Sequence, residues 1–271
     1  MMKDQFGREI TYLRISITDR CNLRCIYCMP EKGISLVPHG QILSYEEILD
    51  FVRFAVSRGI TKIRLTGGEP LVRKGILSLV HSLAAIGGIR DLGMTTNGIL
   101  LSEMARDLRQ AGLHRLNISL DTLDPQRYRT LTCKGELSQV LKGIDAAQRA
   151  GFGKEGSPIK LNCVLLPDTT EEELEKLRNY ARDRKLELRL IRRIDLKNGS
   201  FGKVFKGDGG DCPRCNRIRL TSTGILKPCL LNNLGYDIRA LGAEKALEAA
   251  LQNKPLAGST NTCDTFNYIG G

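Results

Sequence analysis

The sequence predicts an α/β protein, a partial (βα)6 TIM-like barrel followed by a small C-terminal region. Six short segments rich in Ile, Leu and Val alternate with amphipathic segments of helical periodicity. Short apolar strands separated by helices are typical of a buried parallel sheet, and six such units suit an open barrel. Polar motifs follow the strands, and in such barrels the carboxyl ends of the strands carry the ligands.

The elements are predicted from local signals along the chain. The six strands are expected at residues 12–18, 62–66, 92–95, 115–119, 159–164 and 186–191. The first helix should begin at Ser44, since Ser44 and Glu47 form a capping box ahead of an apolar stripe. Thr170 and Glu173 repeat this signal before the sixth strand. A further helix is expected around residues 243–251.

The alternation of strands and helices stops after the sixth strand. Residues 197–211, KNGSFGKVFKGDGGD, are rich in glycine and charge, which is typical of a linker. We therefore divide the chain into a barrel, residues 1–199, and a C-terminal region, residues 200–271.

Six of the nine cysteines form two groups, the first triad (Cys21, Cys25 and Cys28) and the second triad (Cys212, Cys215 and Cys229). Three thiolates leave one iron of a [4Fe–4S] cluster open, and an open iron can bind a small molecule. The alternative is structural zinc, which needs a fourth ligand. No histidine is near the first triad in sequence, whereas Cys263 is a candidate fourth ligand for the second.

The formal net charge of +11 narrows the class of partner. The basic residues are scattered, so the sequence favours a small polyanion such as a nucleoside triphosphate over nucleic acid. The chain starts without an apolar leader segment, and no apolar run approaches the length of a membrane span. Free cysteines without an export signal predict a reducing compartment, the cytoplasm.

Several strings resemble the GTP 3′,8-cyclase (MoaA) family of the radical S-adenosylmethionine (SAM) superfamily. They are LRISITDRCNLRCIYCMP, KIRLTGGEPLVR, MTTNGILL, LNISLDTL and NYIGG. The resemblance implies a barrel of the radical SAM type with two [4Fe–4S] clusters, the first of which cleaves SAM to a 5′-deoxyadenosyl radical. The radical would abstract the C3′ hydrogen of GTP, and the ribose carbon would then attack C8 of guanine. The second cluster would anchor the purine. This reaction opens molybdenum cofactor biosynthesis.

The resemblance also implies roles for residues outside the triads. Those expected to contact SAM are Tyr27, Gly68, Glu69, Ser119 and Ile194, with a simple helix cap as the alternative for Ser119. Those expected to contact GTP are Arg14, Arg64, Thr95, Lys160, Arg217, Ile218 and Arg219. A guanidinium group can bind a phosphate through two parallel hydrogen bonds. Arg14 or Arg64 taken alone would also suit a surface ion pair.

The chain ends in Gly270 and Gly271, and a Gly-Gly end is usually a frayed tail. A ubiquitin-like tail is a further reading, but the rest of the chain does not resemble such a module. A peptide without side chains also fits a narrow active site. The resemblance implies that this tail has a catalytic role and reaches into the site.

Three features depart from the family. Several tens of residues that the family carries before the second triad are missing, so the chain is a shortened homologue. Arg192 stands in place of an acid and Ile194 in place of a SAM-contacting methionine. Cys263 has no assigned role.

The shortening favours an alternative, a diverged radical SAM enzyme with an auxiliary cluster that acts on another nucleotide or a peptide. A third hypothesis is an idle metal-binding module that holds RNA. The implied partners are an electron donor such as flavodoxin or ferredoxin and a downstream cyclic pyranopterin monophosphate synthase. No membrane partner is expected, and a homodimer is left open.

Overall fold

The structure is a computed structural model that describes residues 2–29, 35–154, 158–199, 201–205, 207 and 209–270. Within these residues, nine strands form one sheet in the order β6-β5-β4-β3-β2-β1-β7-β8-β9. They are β1 Tyr12–Ser16, β2 Lys62–Thr66, β3 Asp91–Thr96, β4 Arg115–Ser119, β5 Lys160–Leu165, β6 Glu187–Arg192, β7 Arg217–Leu220, β8 Ile225–Lys227 and β9 Tyr236–Asp237. Strands β1 to β7 are parallel, whereas β8 and β9 are antiparallel additions.

The helices lie between and after the parallel strands. They are α1 Tyr45–Ser57, α2 Ile76–Ala84, α3 Leu101–Gln110, α4 Pro125–Thr132, α5 Leu137–Arg149, α6 Glu171–Asp183, α7 Ile238–Leu241, α8 Ala243–Gln252 and α9 Phe266–Ile269. The capping boxes predicted at Ser44 and Thr170 are both confirmed, with Glu47 and Glu173 as their partners. Among the described residues, no helix combines the length and the apolar character that a membrane span requires.

The two faces of the sheet differ in chemistry, because successive side chains of a strand point to opposite sides. Leu13 and Ile15 of β1 are fully buried in the main hydrophobic core. Tyr12 and Arg14 of the same strand line a polar cavity together with side chains of β2, β4, β5, β6 and β7. The sheet must therefore curve around that cavity, while β6 and β9 at its edges leave it open. The predicted partial barrel is confirmed.

Strand β7 connects the C-terminal region to the barrel. It pairs with β1 in register, Tyr12 opposite Arg217 and Arg14 opposite Arg219. The second triad flanks this strand, since Cys215 precedes it and Cys229 follows β8. The division at residue 199 stays a prediction, but the C-terminal strands continue the barrel sheet.

Candidate active site

The first triad lies on the loop that follows β1. Burial raises the pKa of Cys25 and raises that of Cys28 to about 12, with neighbouring thiols adding to both shifts. The backbone N–H of Leu23 donates to Cys21 Sγ at 3.3 Å, and Asn97 Nδ2 lies 3.9 Å from the same sulfur. Such donors stabilise the thiolates that hold iron–sulfur clusters. The donor set therefore fits a cluster.

The GGEP loop after β2 packs directly on the cysteine loop. The backbone N–H of Gly68 donates to the carbonyl of Thr18 at 2.7 Å, and that of Glu69 donates to Arg20 at 2.8 Å. A Cβ atom at Gly68 would lie 2.3 Å from the carbonyl oxygen of Arg20. Glycine is thus required here by the contact between the two loops, and its contact with SAM stays a prediction.

The Glu69 carboxylate connects the GGEP loop to the end of β3. It accepts hydrogen bonds from Thr96 Oγ1 at 2.8 Å, from the N–H of Asn97 at 2.7 Å and from the N–H of Leu71 at 3.0 Å. Burial raises the pKa of Glu69 to about 7, against the lowering effect of these donors. The side chain thereby fixes the GGEP loop against the end of β3, while the contact of Glu69 with SAM stays a prediction.

Tyr27 ties the cysteine loop to β4 and β5. Its hydroxyl donates to Asp121 Oδ2 at 2.6 Å, while Asp121 Oδ1 accepts the N–H of Val164 at 2.8 Å. Burial raises the pKa of Asp121 to about 6. Ser119, at the end of β4, is two residues away from this carboxylate. The sequence analysis assigned a role to Ser119 and none to Asp121, although both belong to the polar motif at the end of this strand.

A basic cavity of about 350 Å³ fills the interior of the barrel. Four of the residues predicted to bind GTP line it together: Arg14, Arg64, Lys160 and Arg217. Arg64 is only 4% exposed, and its Nε donates to Tyr12 Oη at 2.7 Å. Gly93 faces it, and a Cβ atom there would lie 3.2 Å from Arg64 Cζ. The absence of a side chain at position 93 makes room for the guanidinium group.

The cavity also contains residues that sequence reasoning missed, namely Lys62, Asn117, Asn162 and Arg189. The Oδ1 atoms of Asn117 and Asn162 and Nη1 of Arg64 are buried and have no hydrogen-bond partner. Along their strands these four residues alternate with residues of the hydrophobic core, and this alternation of polar and apolar residues could have been seen in the sequence. Buried polar atoms without partners indicate a ligand or water in the cavity.

Six of the described residues that line this cavity are bases, and two acids contact three of them. Glu187 lies 3.7 Å from Lys160 and 2.7 Å from Arg189, and Asp91 lies 3.2 Å from Lys62. A cavity with excess positive charge inside a protein favours an anion, above all one with several charges. The arrangement suits a triphosphate.

Three of the residues predicted to bind GTP lie elsewhere. Ile218 is 0% exposed in the main hydrophobic core, because the strand alternation turns it away from Arg217, so its side chain does not reach the cavity. Arg219 lines a second cavity instead. Thr95 is half-buried with its Oγ1 unpartnered and does not line the basic cavity. Their contacts with GTP stay predictions.

The second triad lines a separate cavity of about 120 Å³, together with Arg217, Arg219 and Lys254. The pKa of Cys215 is lowered: burial opposes the shift, but the charges of Lys254 and Arg217 outweigh it. Val204, Gly209 and Arg217 line both cavities, which are therefore neighbours. Three thiols around one small cavity fit a cluster.

Zinc is the alternative to a cluster at each triad. In the part of the chain that the structure describes, no three His, Cys, Asp or Glu side chains converge closely enough to hold one metal ion. A four-iron cluster spaces its thiolates more widely than a single ion does. Cys263, the candidate fourth ligand, is exposed and does not line the second cavity. Ile194 does line it, so the structure places this predicted SAM contact beside the second triad.

The C-terminal tail reaches the GGEP loop. The carbonyl of Gly270 accepts a hydrogen bond of 2.5 Å from Arg219 Nη1. A Cβ atom on Gly270 would lie 2.1 Å from Thr66 Oγ1, at the end of β2. Ile269, just before it, is buried against Leu196 and Leu231. Gly270 is therefore held in place by Arg219, whereas Gly271 lies outside the described residues.

Comparisons with known proteins agree with this geometry. Residues 15–181 match the radical SAM superfamily. Streptococcus suis SuiB bound to S-adenosylmethionine has a TM-score of 0.68 at 16% identity, over 92% of this chain and 67% of that one. Native anSMEcpe with bound AdoMet has a TM-score of 0.66 at 16% identity, over 90% and 81% of the two chains. These structures share the fold.

Relatives of higher identity define the family. A GTP 3′,8-cyclase of Thermodesulfovibrio yellowstonii is 44% identical over 89% of this chain and 88% of its own length. One of Petrotoga mobilis is 38% identical along the whole of both chains. That alignment spans 327 positions, so the relative has residues without a counterpart among the 271 here, and the chain is a shortened homologue. The chain belongs to the GTP 3′,8-cyclase family of the radical SAM superfamily.

Proposed function

We propose that this protein is a GTP 3′,8-cyclase, which uses SAM to convert GTP to (8S)-3′,8-cyclo-7,8-dihydroguanosine 5′-triphosphate. The observation that carries the proposal is the basic cavity inside the barrel, which adjoins the second triad. Its charge and volume suit a nucleoside triphosphate. The names of the relatives supply the reaction, and the cavity supplies a place for the substrate.

The proposed cofactors are SAM and two [4Fe–4S] clusters, one on each triad. When bound, the first cluster supplies the electron that cleaves SAM, and the second offers an open iron to the purine. Arg14, Arg64, Lys160 and Arg217 bind the triphosphate by charge-assisted hydrogen bonds. The unpartnered oxygens of Asn117 and Asn162 accept hydrogen bonds from the nucleoside.

SAM is held where the cysteine loop meets the GGEP loop. Gly68, Glu69 and Ser119 form this part of the site, and Tyr27 anchors the cysteine loop through Asp121. The C-terminal tail enters the site at Gly270, beside Thr66 at the end of β2. Arg219 acts through this tail, since it donates to the Gly270 carbonyl.

A second candidate is a radical SAM reaction on another nucleotide. The observation that favours it is the shortening of the chain relative to the Petrotoga mobilis protein, because missing residues remove contacts from around a substrate. The basic cavity would accept any nucleoside triphosphate, so base selection is what separates the two candidates.

Anaerobic incubation with GTP, SAM and a strong reductant, followed by mass spectrometry of the nucleotides, tests the proposal. We expect a product with the mass of GTP that is chemically distinct from it, together with 5′-deoxyadenosine. Parallel reactions with ATP, CTP and UTP should give only uncoupled SAM cleavage. A cyclised product from one of these and none from GTP would favour the second candidate.

The proposal extends to the setting of the reaction. A low-potential donor such as flavodoxin or ferredoxin would reduce the clusters, and a cyclic pyranopterin monophosphate synthase would consume the product. Both imply a cytoplasmic enzyme. Replacing the chemical reductant by reduced flavodoxin in the same assay tests the first of these partners.

A further inference from the structure

Lys254 is a fully buried lysine at the second triad that the proposed reaction does not use. It follows α8 and is only 1% exposed. Its Nζ donates to the carbonyl oxygens of Arg217 and Pro228, each at 2.7 Å. Pro228 immediately precedes Cys229, and Arg217 is two residues after Cys215. The ammonium group therefore bridges the two segments that carry these thiols.

The charge of Lys254 needs a compensating anion, because a buried charge without one is strongly unfavourable. Lys227, another buried lysine of this region, satisfies this need by pairing with Asp264 at 2.6 Å. Among the described residues no carboxylate pairs with Lys254 in this way. Lys254 instead lines the cavity with all three cysteines, and among them Cys215 and Cys229 act on it electrostatically.

Lys254 is also held on a fixed backbone. Gln5 Nε2 donates to the carbonyl of Lys254 at 3.1 Å. Arg8 donates to the carbonyls of Pro255 at 2.7 Å, Leu256 at 3.0 Å and Cys212 at 2.7 Å. The N-terminal residues thus attach the segment after α8 to the loop that carries the second triad. An ammonium group held in this way stays in place when a cluster occupies the cavity and when that cluster is reduced.

We propose that Lys254 is the counter-cation of the second cluster and raises its reduction potential. The inference rests on the proposed function, since it requires a cluster on the second triad. A cluster held by three thiolates is anionic and becomes more so on reduction, so a fixed ammonium group favours the reduced state. Lys254 is a positioning and tuning residue, and it does not touch the substrate.

The test uses a background in which Cys21, Cys25 and Cys28 are replaced by alanine, so that any remaining cluster signal comes from the second triad. In that background, Lys254→Met removes the charge and keeps most of the side-chain volume. We expect a redox titration monitored by electron paramagnetic resonance to give a more negative midpoint potential. Lys245→Met is the matched control, because Lys245 is exposed on α8, the helix that precedes Lys254, and it should leave the potential unchanged.

Melting temperatures separate a role toward the cluster from a purely structural one. Lys254→Met should destabilise the iron-loaded protein more than the iron-free protein, and Lys254→Arg should restore part of the potential. Equal destabilisation in both forms, or a potential equal to that of Lys245→Met, would overturn the inference. If the background protein with Lys254 intact holds no iron, the second cluster itself is wrong, and the inference falls with it.

Discussion

Acids have the larger electrostatic effect on the thiols of Cys21 and Cys25 in the first triad, whereas bases have it on Cys215 in the second. Burial is the main effect that raises the pKa values of Cys21 and Cys25, and Glu69 and Asp121 respectively add to it. At the second triad the pKa of Cys215 is lowered although burial opposes this, because Lys254 and Arg217 lie beside it. Two sites with the same ligands thus have opposite electrostatic surroundings.

This difference assigns different tasks to the two sites. Negative surroundings disfavour an added electron, so a cluster on the first triad should be the stronger reductant. Positive surroundings stabilise an anionic cluster and attract an anionic substrate to its open side. If both triads hold clusters as proposed, we expect the cluster beside the GGEP loop to donate the electron and the one beside the basic cavity to bind the substrate.

The largest expected effect comes from removing each triad in turn. Alanine at Cys21, Cys25 and Cys28 should abolish SAM cleavage and remove about half of the iron if each triad holds one cluster, as proposed. Alanine at Cys212, Cys215 and Cys229 should remove the other half and stop cyclisation, while uncoupled SAM cleavage continues. Iron analysis and chromatography of 5′-deoxyadenosine measure both results. Full iron content in either triple variant would contradict the proposal that each triad holds a cluster.

The next effect concerns the tail that joins the two sites. Gly270→Ala places a Cβ atom 2.1 Å from Thr66 Oγ1, so the tail must move. A displacement of about 1 Å at an active site costs on the order of 100-fold in rate. We expect cyclisation to fall by about that factor while SAM cleavage persists, as measured by product mass spectrometry.

Gly242→Ala is the matched control for this change. Gly242 has a φ of +78°, similar to the +70° of Gly270, but a Cβ atom there would meet nothing within 4 Å. It therefore introduces the same backbone strain without the collision. Equal loss of cyclisation in the two variants would show that backbone strain, and not the position of the tail, is responsible.

A smaller effect is expected in the basic cavity. Lys160→Met removes one cation that contacts Glu187 and neither triad. A lost charge-assisted hydrogen bond costs about 1.5–3 kcal/mol, which weakens GTP binding by roughly 10- to 150-fold. Calorimetry of GTP binding measures it, with the exposed Lys176→Met as control. Unchanged affinity would remove the cavity from the substrate site.

The smallest expected effect comes from the helix caps, whose loss should lower stability without changing the iron content of either triad. Ser44→Ala removes the cap of α1 and costs about 1 kcal/mol of stability. Thr170→Ala does the same at α6 and should behave in the same way. Thermal unfolding measures the loss, and the iron content should not change. Loss of iron from one triad alone would show that the scaffold supports the two sites unequally.

Local signals in the sequence were sufficient for most of the fold. Both capping boxes and all six barrel strands were predicted, because caps depend on residues three apart and buried strands on short apolar runs. Two strands, β2 and β4, have the predicted bounds, and the bounds of the other four differ by one or two residues. The addition of β7 to β1 was not predicted, since it joins segments that are far apart in sequence.

The cysteine triads were also found from spacing, whereas the surroundings of each site were not. Ile218 was grouped with its neighbouring arginines, but the alternation of β7 places it in the core. Lys254 was not selected, because nothing near it in sequence indicates burial. Such residues acquire their roles only when the N-terminal segment, β7 and the end of α8 come together.

The position of β1 has a consequence for how the protein is made. This strand leads into the first triad, and it is covered on one side by β2 and on the other by β7. A growing chain therefore exposes one edge of β1 until the residues of the second triad have been synthesised. Unpaired edges attract other chains, so truncated or stalled products should aggregate. The second edge of β1, the strand that leads into the first triad, is covered only by β7, which lies in the segment that carries the second triad.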